Sequence, residues 1–292
     1  MSKKVITSYK AFDKNMQCRG FQYEVGKEYE MDGEIKCCER GFHACESPME
    51  VWEYYDMLTS RFAKVEQSGK IDKEVNSTKV CSSKIKISAE LKLADIIKLG
   101  VEWIKDVTSP SKVKATGELN DNGGYSAKIG SSGDSAKIGS SGYSAQIGSS
   151  GYSAQIGSSG DYAKIGSSGD YAKIGSSGDS AKIGSSGYSA QIGSSGYSAK
   201  IGSSGYSAKI GSSGDYAKID STGEDSVIMC AGNSSRAKAK VGSWITLAEW
   251  KWSDEKKRDV PVCVKTEYVD GENIKADTWY QLKDGKFVEV DE

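Results

Sequence analysis

Residues 160–168 read Gly-Asp-Tyr-Ala-Lys-Ile-Gly-Ser-Ser, and residues 169–177 repeat the same nine residues. This nonapeptide recurs eleven times without insertion between Gly124 and Thr222. Its first Gly, its Ala, its Ile and the first Ser of its closing pair are present in every copy. A flexible Gly/Ser linker has no reason to keep apolar residues at a fixed period, whereas a solenoid requires them.

Side-chain alternation predicts how each nonapeptide folds. Ala and Ile lie two residues apart, so they share the inner face of a short strand, while Lys or Gln points outward. Ser-Ser-Gly then supplies a corner, in which we expect Gly to take a positive φ. Two inward side chains per strand are too few to fill a triangular interior of three repeats per turn. The sequence therefore predicts a parallel β-solenoid, a two-sided roll with two nonapeptides per turn.

The flanking segments have the patterns of folded domains. Ser47-Pro48 followed by Glu50 predicts a helix to about Leu58, and an apolar stripe predicts a second helix before residue 106. Asp284-Gly285 between apolar residues predicts a hairpin. We expect four segments: an α+β N-terminal domain (1–106), a linker (107–123), the nonapeptide-repeat β-solenoid (124–231) and a β-rich C-terminal cap (232–292).

Composition excludes several classes of protein. The 39 basic and 40 acidic residues nearly cancel, and the roll alone has eight basic and six acidic residues, which makes nucleic acid an unfavourable partner. No apolar run has the length of a signal peptide or a membrane span. Seven scattered cysteines are typical of reduced thiols. We expect a cytoplasmic protein that does not bind membranes.

Candidate chemistry is sparse. His43 is the only histidine, and the sequence has no nucleophile elbow, phosphate loop or dinucleotide fingerprint. We therefore expect a protein that is not an enzyme and needs no cofactor; the alternative is an N-terminal enzyme domain that uses His43 or Cys45. One Asp in five of the repeats is too few for a calcium shell.

A soft metal is a second possibility at the N terminus. Its candidate ligands are Cys37, Cys38, His43 and Cys45, with Cys18 as a possible neighbour. The set contains no Cys-x-x-Cys pair, and buried thiols are ordinary core residues, so packing is the favoured interpretation.

Outward residues of the roll form the candidate binding surface. One side stacks Lys128, Gln146, Lys164, Lys182, Lys200 and Lys218, and the other stacks Lys137, Gln155, Lys173, Gln191 and Lys209. Tyrosines stand at the corners. The non-functional interpretation is a surface that lysines keep soluble. The functional interpretation is a rigid binding surface of aromatic and cationic groups. The candidate binding residues are Tyr162, Tyr171, Tyr188, Tyr197, Tyr206, Lys164, Lys173, Lys200 and Lys209.

Two segments carry a resemblance to a known family. Cys18-Arg19-Gly20-Phe21-Gln22-Tyr23-Glu24-Val25-Gly26-Lys27 and Gly41-Phe42-His43-Ala44-Cys45-Glu46 are similar to an uncharacterised family of phage and prophage proteins with nonapeptide repeats. The repeat alone resembles, more loosely, the β-rolls of trimeric adhesin heads and of ice-nucleation proteins. These likenesses imply a viral gene and a roll, and they transfer no activity.

The functional expectation combines these observations. It is a phage-encoded, non-enzymatic binding protein that engages a host macromolecule, most simply a host protein, as a counter-defence inhibitor in the host cytoplasm. One alternative is a structural spacer or trimerising element of the virion. Another is a small-molecule sponge.

Overall fold

A computed structural model describes residues 5–74, 77–108 and 124–291 of the chain. The chain divides into two compact units, Met1–Trp103 and Ile104–Glu292. The linker expected at 107–123 lies outside the described residues from position 109 onward. None of the helices in the described ranges is long and apolar enough to cross a bilayer.

The N-terminal unit is built on a five-stranded antiparallel sheet. Its order is β4-β7-β5-β1-β6, and β6 also pairs with β7, so four of the strands close into a ring. A separate two-residue hairpin, β2–β3, stands beside the sheet. The strands and the helix that follows them are β1 (Ile6–Phe12), β2 (Gln17–Cys18), β3 (Phe21–Gln22), β4 (Glu28–Glu30), β5 (Phe42–Cys45), β6 (Arg61–Lys73), β7 (Lys79–Leu91) and α1 (Leu93–Val107).

The first predicted helix is shorter than the sequence indicates. It is a 3₁₀ helix over Pro48–Glu53 and does not reach Leu58 as an α-helix. Ser47 makes no side-chain cap, and Glu50 accepts a hydrogen bond from the Thr78 hydroxyl at 2.6 Å instead of closing a capping box. Burial of Pro48, Met49, Val51 and Trp52 explains the tight turn, because packing fixes this segment more strongly than its end signals do.

The repeats form the predicted two-sided parallel roll. Each strand pairs in register with the strand eighteen residues later, so odd and even repeats build two opposite sheets. The strands of the odd repeats are β8 (Lys128–Ser131), β10 (Gln146–Ser149), β12 (Lys164–Ser167), β14 (Lys182–Ser185), β16 (Lys200–Ser203) and β18 (Lys218–Ser221). Those of the even repeats are β9 (Lys137–Ser140), β11 (Gln155–Ser158), β13 (Lys173–Ser176), β15 (Gln191–Ser194) and β17 (Lys209–Ser212).

Three residues of each repeat point inward, not two. Besides the Ala and Ile columns, the first Ser of the closing pair is buried in every repeat from the second onward, as at Ser176, Ser185 and Ser194. Their hydroxyls have no hydrogen-bond partner among the described residues. A small side chain fits the narrow edge of the interior, so this column explains why that Ser is present in every copy.

The corner glycines are required for a reason that the sequence did not show. None of them has a positive φ; the left-handed residue is the third of the repeat, for example Tyr162 (φ 56°) and Ser180 (φ 55°). A Cβ on Gly178 would lie 2.0 Å from the carbonyl oxygen of Gly160, one rung below. The expectation of a left-handed Gly is therefore wrong, and close approach between successive rungs is what demands glycine here.

The C-terminal region completes both sheets of the roll. Parallel pairing continues past residue 231 to Leu247, through β19 and β20 into β21. Antiparallel strands then end each sheet, β22 against β21 and the β23–β24 hairpin against β20. The bounds are β19 (Val227–Cys230), β20 (Arg236–Lys238), β21 (Trp244–Ser253), β22 (Arg258–Tyr268), β23 (Tyr280–Lys283) and β24 (Lys286–Glu289).

Candidate functional sites on the roll and in the N-terminal unit

The outer surface of β9, β11, β13, β15 and β17 is an exposed cationic face, here called the lysine–glutamine face. Strand register places its outward residues in one column, in the order Lys137, Gln155, Lys173, Gln191 and Lys209. Lysine never pairs with lysine in this column, so successive charges stand two rungs, about 9.6 Å, apart. That spacing is close to the Debye length at physiological ionic strength and keeps their mutual repulsion small.

A column of glycines makes the same face flat. It runs beside the lysines and glutamines, and a Cβ added at any of its members would meet nothing within 4 Å. These glycines are therefore not demanded by packing or by backbone conformation, in contrast to those at the corners. They leave a shallow groove with a polar wall along the length of the roll. The column consists of Gly139, Gly157, Gly175, Gly193 and Gly211.

Tyrosines line both edges of the roll in two ladders. On the edge of the odd repeats, Tyr125 and Tyr143 stack at 4.9 Å between ring centroids, and Tyr143 contacts Tyr162 at 5.1 Å. On the edge of the even repeats, Tyr171 lies 5.2 Å from Tyr152 and 5.6 Å from Tyr188. All of these rings are at least two-fifths exposed. Each ladder is thus a strip of accessible aromatic surface.

The corner aspartates support the backbone. Each of the five accepts a hydrogen bond from a main-chain N–H one rung further along; for example, the Asp179 N–H donates to Asp161 Oδ1 at 2.8 Å. The other four bonds join Asp134 to Tyr152, Asp170 to Tyr188, Asp179 to Tyr197 and Asp215 to Asn233. These carboxylates connect successive rungs by hydrogen bonds, which is a structural role distinct from ligand binding.

The nine predicted binding residues do not form one surface. Lys173 and Lys209 lie on the lysine–glutamine face, with Tyr171, Tyr188 and Tyr206 along one of its two edges. Tyr162 and Tyr197 stand on the other edge, while Lys164 and Lys200 belong to the other sheet, where Lys164 is buried. A partner of the exposed face would contact Lys137 as well, because strand register places Lys137 in the same column as Lys173 and Lys209.

A cavity of about 610 Å³ lies within the N-terminal unit. Cys18 and Phe21 face each other in the β2–β3 hairpin, whose two-residue turn places Arg19 (φ 51°) and Gly20 (φ 76°) in the left-handed region. Opposite this hairpin, β5 supplies Phe42 and His43 to the cavity wall. Both segments that carried the family resemblance therefore line one cavity, which the sequence alone did not reveal.

Lys10 is the buried cation of this cavity. It is 6% exposed, and its Nζ donates to the carbonyl oxygen of His43 at 2.9 Å and to Cys18 Sγ at 3.5 Å. Burial lowers the pKa of Lys10, and Cys18 opposes that shift. Tyr55 Oη also donates to Cys18 Sγ, at 2.7 Å.

His43 and Cys45 lack the features of a nucleophile and its base. The Cys38 N–H donates to His43 Nε2 at 2.9 Å, and the other side of the ring bonds to the Gly41 backbone. Burial, with the charges of Lys10 and Lys79, lowers the pKa of His43. Burial raises the pKa of the Cys45 thiol to about 12, so it does not ionise near neutral pH. Nothing in this geometry activates either side chain.

The predicted metal ligands are not brought together as a set. Cys37 and His43 meet Cys81, with their ligand atoms all within 4.8 Å, whereas Cys45 is buried elsewhere and Cys38 is exposed. Cys37 Sγ donates to the Asp72 carbonyl at 3.4 Å and Cys81 Sγ to the Arg40 carbonyl at 3.2 Å. With His43 Nε2 already accepting a hydrogen bond, these groups form a polar packing network in the structure.

Comparison with known proteins found a match only for the N-terminal unit. A family model described as a domain of unknown function, DUF7666, matches residues 6–99. No curated protein and no solved structure matches the chain. The DUF7666 match spans β1 to the middle of α1 and contains the whole cavity lining, but it names no activity and does not extend to the roll.

Proposed function

We propose that this protein is a phage-encoded, non-enzymatic binding protein whose roll engages an acidic surface of a host protein and thereby inhibits a host defence. The lysine–glutamine face is the observation that carries the proposal. Lys137, Lys173 and Lys209 are exposed at regular intervals beside a flat glycine column, and no acidic residue interrupts either column over these five strands. Regular cations on a rigid sheet complement an acidic partner at little entropic cost.

Solubility alone does not require this arrangement. Any outward polar residue would keep the face soluble, yet glycine occupies the second column in all five even repeats although a side chain would fit there. Glycine in a strand weakens the sheet and often marks a place where another backbone approaches closely. A face kept free of side chains is suited to that approach.

The test uses a substitution that the roll already tolerates. Glutamine occupies two positions of the lysine column, so Lys137→Gln, Lys173→Gln and Lys209→Gln together should leave folding intact. The unmodified protein and this triple variant would each be used to capture partners from host lysate. The matched control changes three exposed lysines of the C-terminal region, Lys256→Gln, Lys257→Gln and Lys286→Gln.

We expect one specific partner that is retained by the control, lost by the triple variant, and released as salt rises. A partner that binds the triple variant equally well would contradict the proposed face. Replacing Tyr188, Tyr197 and Tyr206 by Ser tests the ladders separately. Tyr188 and Tyr206 stand on one edge of the face and Tyr197 on the other, because each edge of the roll adjoins both sheets. Recovery of the protein in virions, with no partner in the lysate, would favour a structural role as spacer or trimerising element.

A further inference from the structure

The buried cation in the N-terminal cavity has no carboxylate partner among the described residues. Lys10 has three N–H donors, of which two contact the His43 carbonyl and Cys18 Sγ. No carboxylate lies within ion-pair distance of Lys10 in the described part of the chain. The Phe12 and Tyr23 rings, each 5.6 Å from Nζ, give the ammonium cation–π contacts but no counter-charge. A buried ammonium without a counter-charge is costly, so such a group indicates a site for a negative charge from outside.

A second cation stands at the cavity mouth. Arg19 lies in the β2–β3 turn, is exposed, and forms no ion pair with any described residue. The rim also carries Glu28, Glu30 and Glu39. Glu30 is paired with Lys84 and Glu39 with Lys36, so their charges are largely balanced within the protein. Lys10 and Arg19 themselves form no ion pair with a described carboxylate, so they leave unpaired positive charge at the cavity.

Aromatic rings form the rest of the wall. Phe21 is 46% exposed, although its ring lies 4.8 Å from that of Tyr23 and 5.3 Å from that of Tyr29, both in edge contact. Tyr54 and Tyr55 line the cavity as well. A large aromatic side chain held open beside other rings is a surface on which a planar ring can stack.

We propose that this cavity binds a small ligand in which a planar aromatic ring carries an anionic group, with the size and chemistry of a mononucleotide. The ring stacks on Phe21, and the anion reaches Lys10 with Arg19 closing over it. The volume of about 610 Å³ lies within the usual range of small-molecule sites. An anion beside Lys10 would favour the charged form of its amine, which burial disfavours.

The experiment measures binding of the four ribonucleoside monophosphates to the full chain by calorimetry, with adenosine and inorganic phosphate as the two halves of the ligand. The variants are Phe21→Ala, Arg19→Gln and Lys10→Met. Val25→Ala is the matched control, because Val25 is an exposed apolar residue just after the same hairpin and is not in the cavity wall. Thermal unfolding of each variant shows whether Lys10→Met folds; Phe21→Ala and Arg19→Gln keep the test valid if it does not.

We expect at least one monophosphate to bind at least tenfold more tightly than either half. Phe21→Ala should weaken that binding at least about fivefold, the loss of one stacking contact. Val25→Ala and the triple lysine variant of the roll should bind as the parent does, which separates this site from the proposed function of the roll. The proposal is overturned if none of the four binds at millimolar concentration, if phosphate alone binds as tightly, or if binding survives both Phe21→Ala and Arg19→Gln unchanged.

Discussion

Glycine has two different roles in one repeat, and the difference is visible only at the scale of single atoms. The corner glycine faces the carbonyl oxygen of the previous rung, whereas the strand glycine of the even repeats faces open space. Composition treats the two alike, and our expectation of a left-handed φ gave the wrong reason for the corner glycine. The fold needs the glycine that approaches the previous rung closely, and the sequence of one repeat does not show that approach.

Substitutions at two glycines three residues apart test this assignment. Gly178→Ala would place a Cβ 2.0 Å from the Gly160 oxygen, and Gly175→Ala would place one in open space. We expect Gly178→Ala to lower the free energy of unfolding by at least about 2 kcal/mol, because backbone must move to accommodate it. Gly175→Ala should be neutral or stabilising by up to about 1 kcal/mol. Urea denaturation measures both, and equal effects would contradict the two roles.

His43 gives the N-terminal unit a pH dependence. Its pKa in the folded protein is below the ordinary value of 6.5, first because of burial and then because of Lys10 and Lys79. The unfolded chain therefore binds more protons than the folded one near pH 6, so stability rises with pH in this window. This contribution is fully present above about pH 7 and is lost as pH falls below the unfolded pKa.

His43→Gln should remove that dependence, since His43 is the only histidine. We expect the parent to lose stability between pH 7 and 5.5 and the variant to have a flatter profile there, as followed by chemical denaturation with a probe in the N-terminal unit. Carboxylates titrate mainly below this window, so the parent and the variant should have the same pH dependence of stability there. A parent profile that is flat, or that rises toward acid, would contradict the neutral, hydrogen-bonded state of His43.

At the scale of elements, the roll could be predicted and the short N-terminal helix could not. Ala and Ile recur in phase eleven times, so each repeat confirms the register of the others, and the sheets follow from side-chain alternation alone. Ser47, Pro48 and Glu50 occur once, and tertiary burial of Trp52 and Met49 overrides their local preference. The sequence did not reveal the cavity for a related reason. Its wall combines two distant segments, which meet through ring contacts of Phe21 and Tyr23 with Phe42.

The inward register of the strands has its own test. Ile174 is buried in the core of the roll, and Gln191 points outward between Lys173 and Lys209. We expect Ile174→Asp to cost at least about 3 kcal/mol, because it buries an unpaired carboxylate. Gln191→Asp adds the same charge to the surface beside two lysines and should change stability by less than about 0.5 kcal/mol. Melting temperatures of the two variants provide the comparison; similar values would refute the inward position of the Ile column.

At the scale of the whole roll, stability is a sum over neighbouring rungs. Each strand of the repeats pairs only with strands eighteen residues away, and β19 and β20 continue the two sheets by the same rule. Repeat proteins of this kind tolerate changes in repeat number, because removal of whole repeats recreates the same interfaces. The number of repeats is therefore free to vary while their phase is not.

Deletion of residues 187–204 removes one complete turn and joins two equivalent points of the repeat. Strand β17 would then pair with β13, with Ile210 opposite Ile174, as Ile192 pairs with Ile174 now. We expect this variant to fold. Its circular dichroism spectrum should keep the same shape, and its denaturant midpoint should fall modestly. The loss reflects one turn of buried surface rather than disruption of the remaining turns.

Deletion of residues 190–194 removes far fewer residues and should do far more damage. It takes out Ala190, Ile192 and Ser194, the three inward side chains of one strand, and leaves a turn of thirteen residues in place of eighteen. The chain can no longer reach the next rung with its Ala and Ile columns facing inward, so both sheets are interrupted at that point. We expect loss of cooperative unfolding in this variant. If the eighteen-residue deletion were the more damaging of the two, the phase of the nonapeptide would not be what specifies the roll.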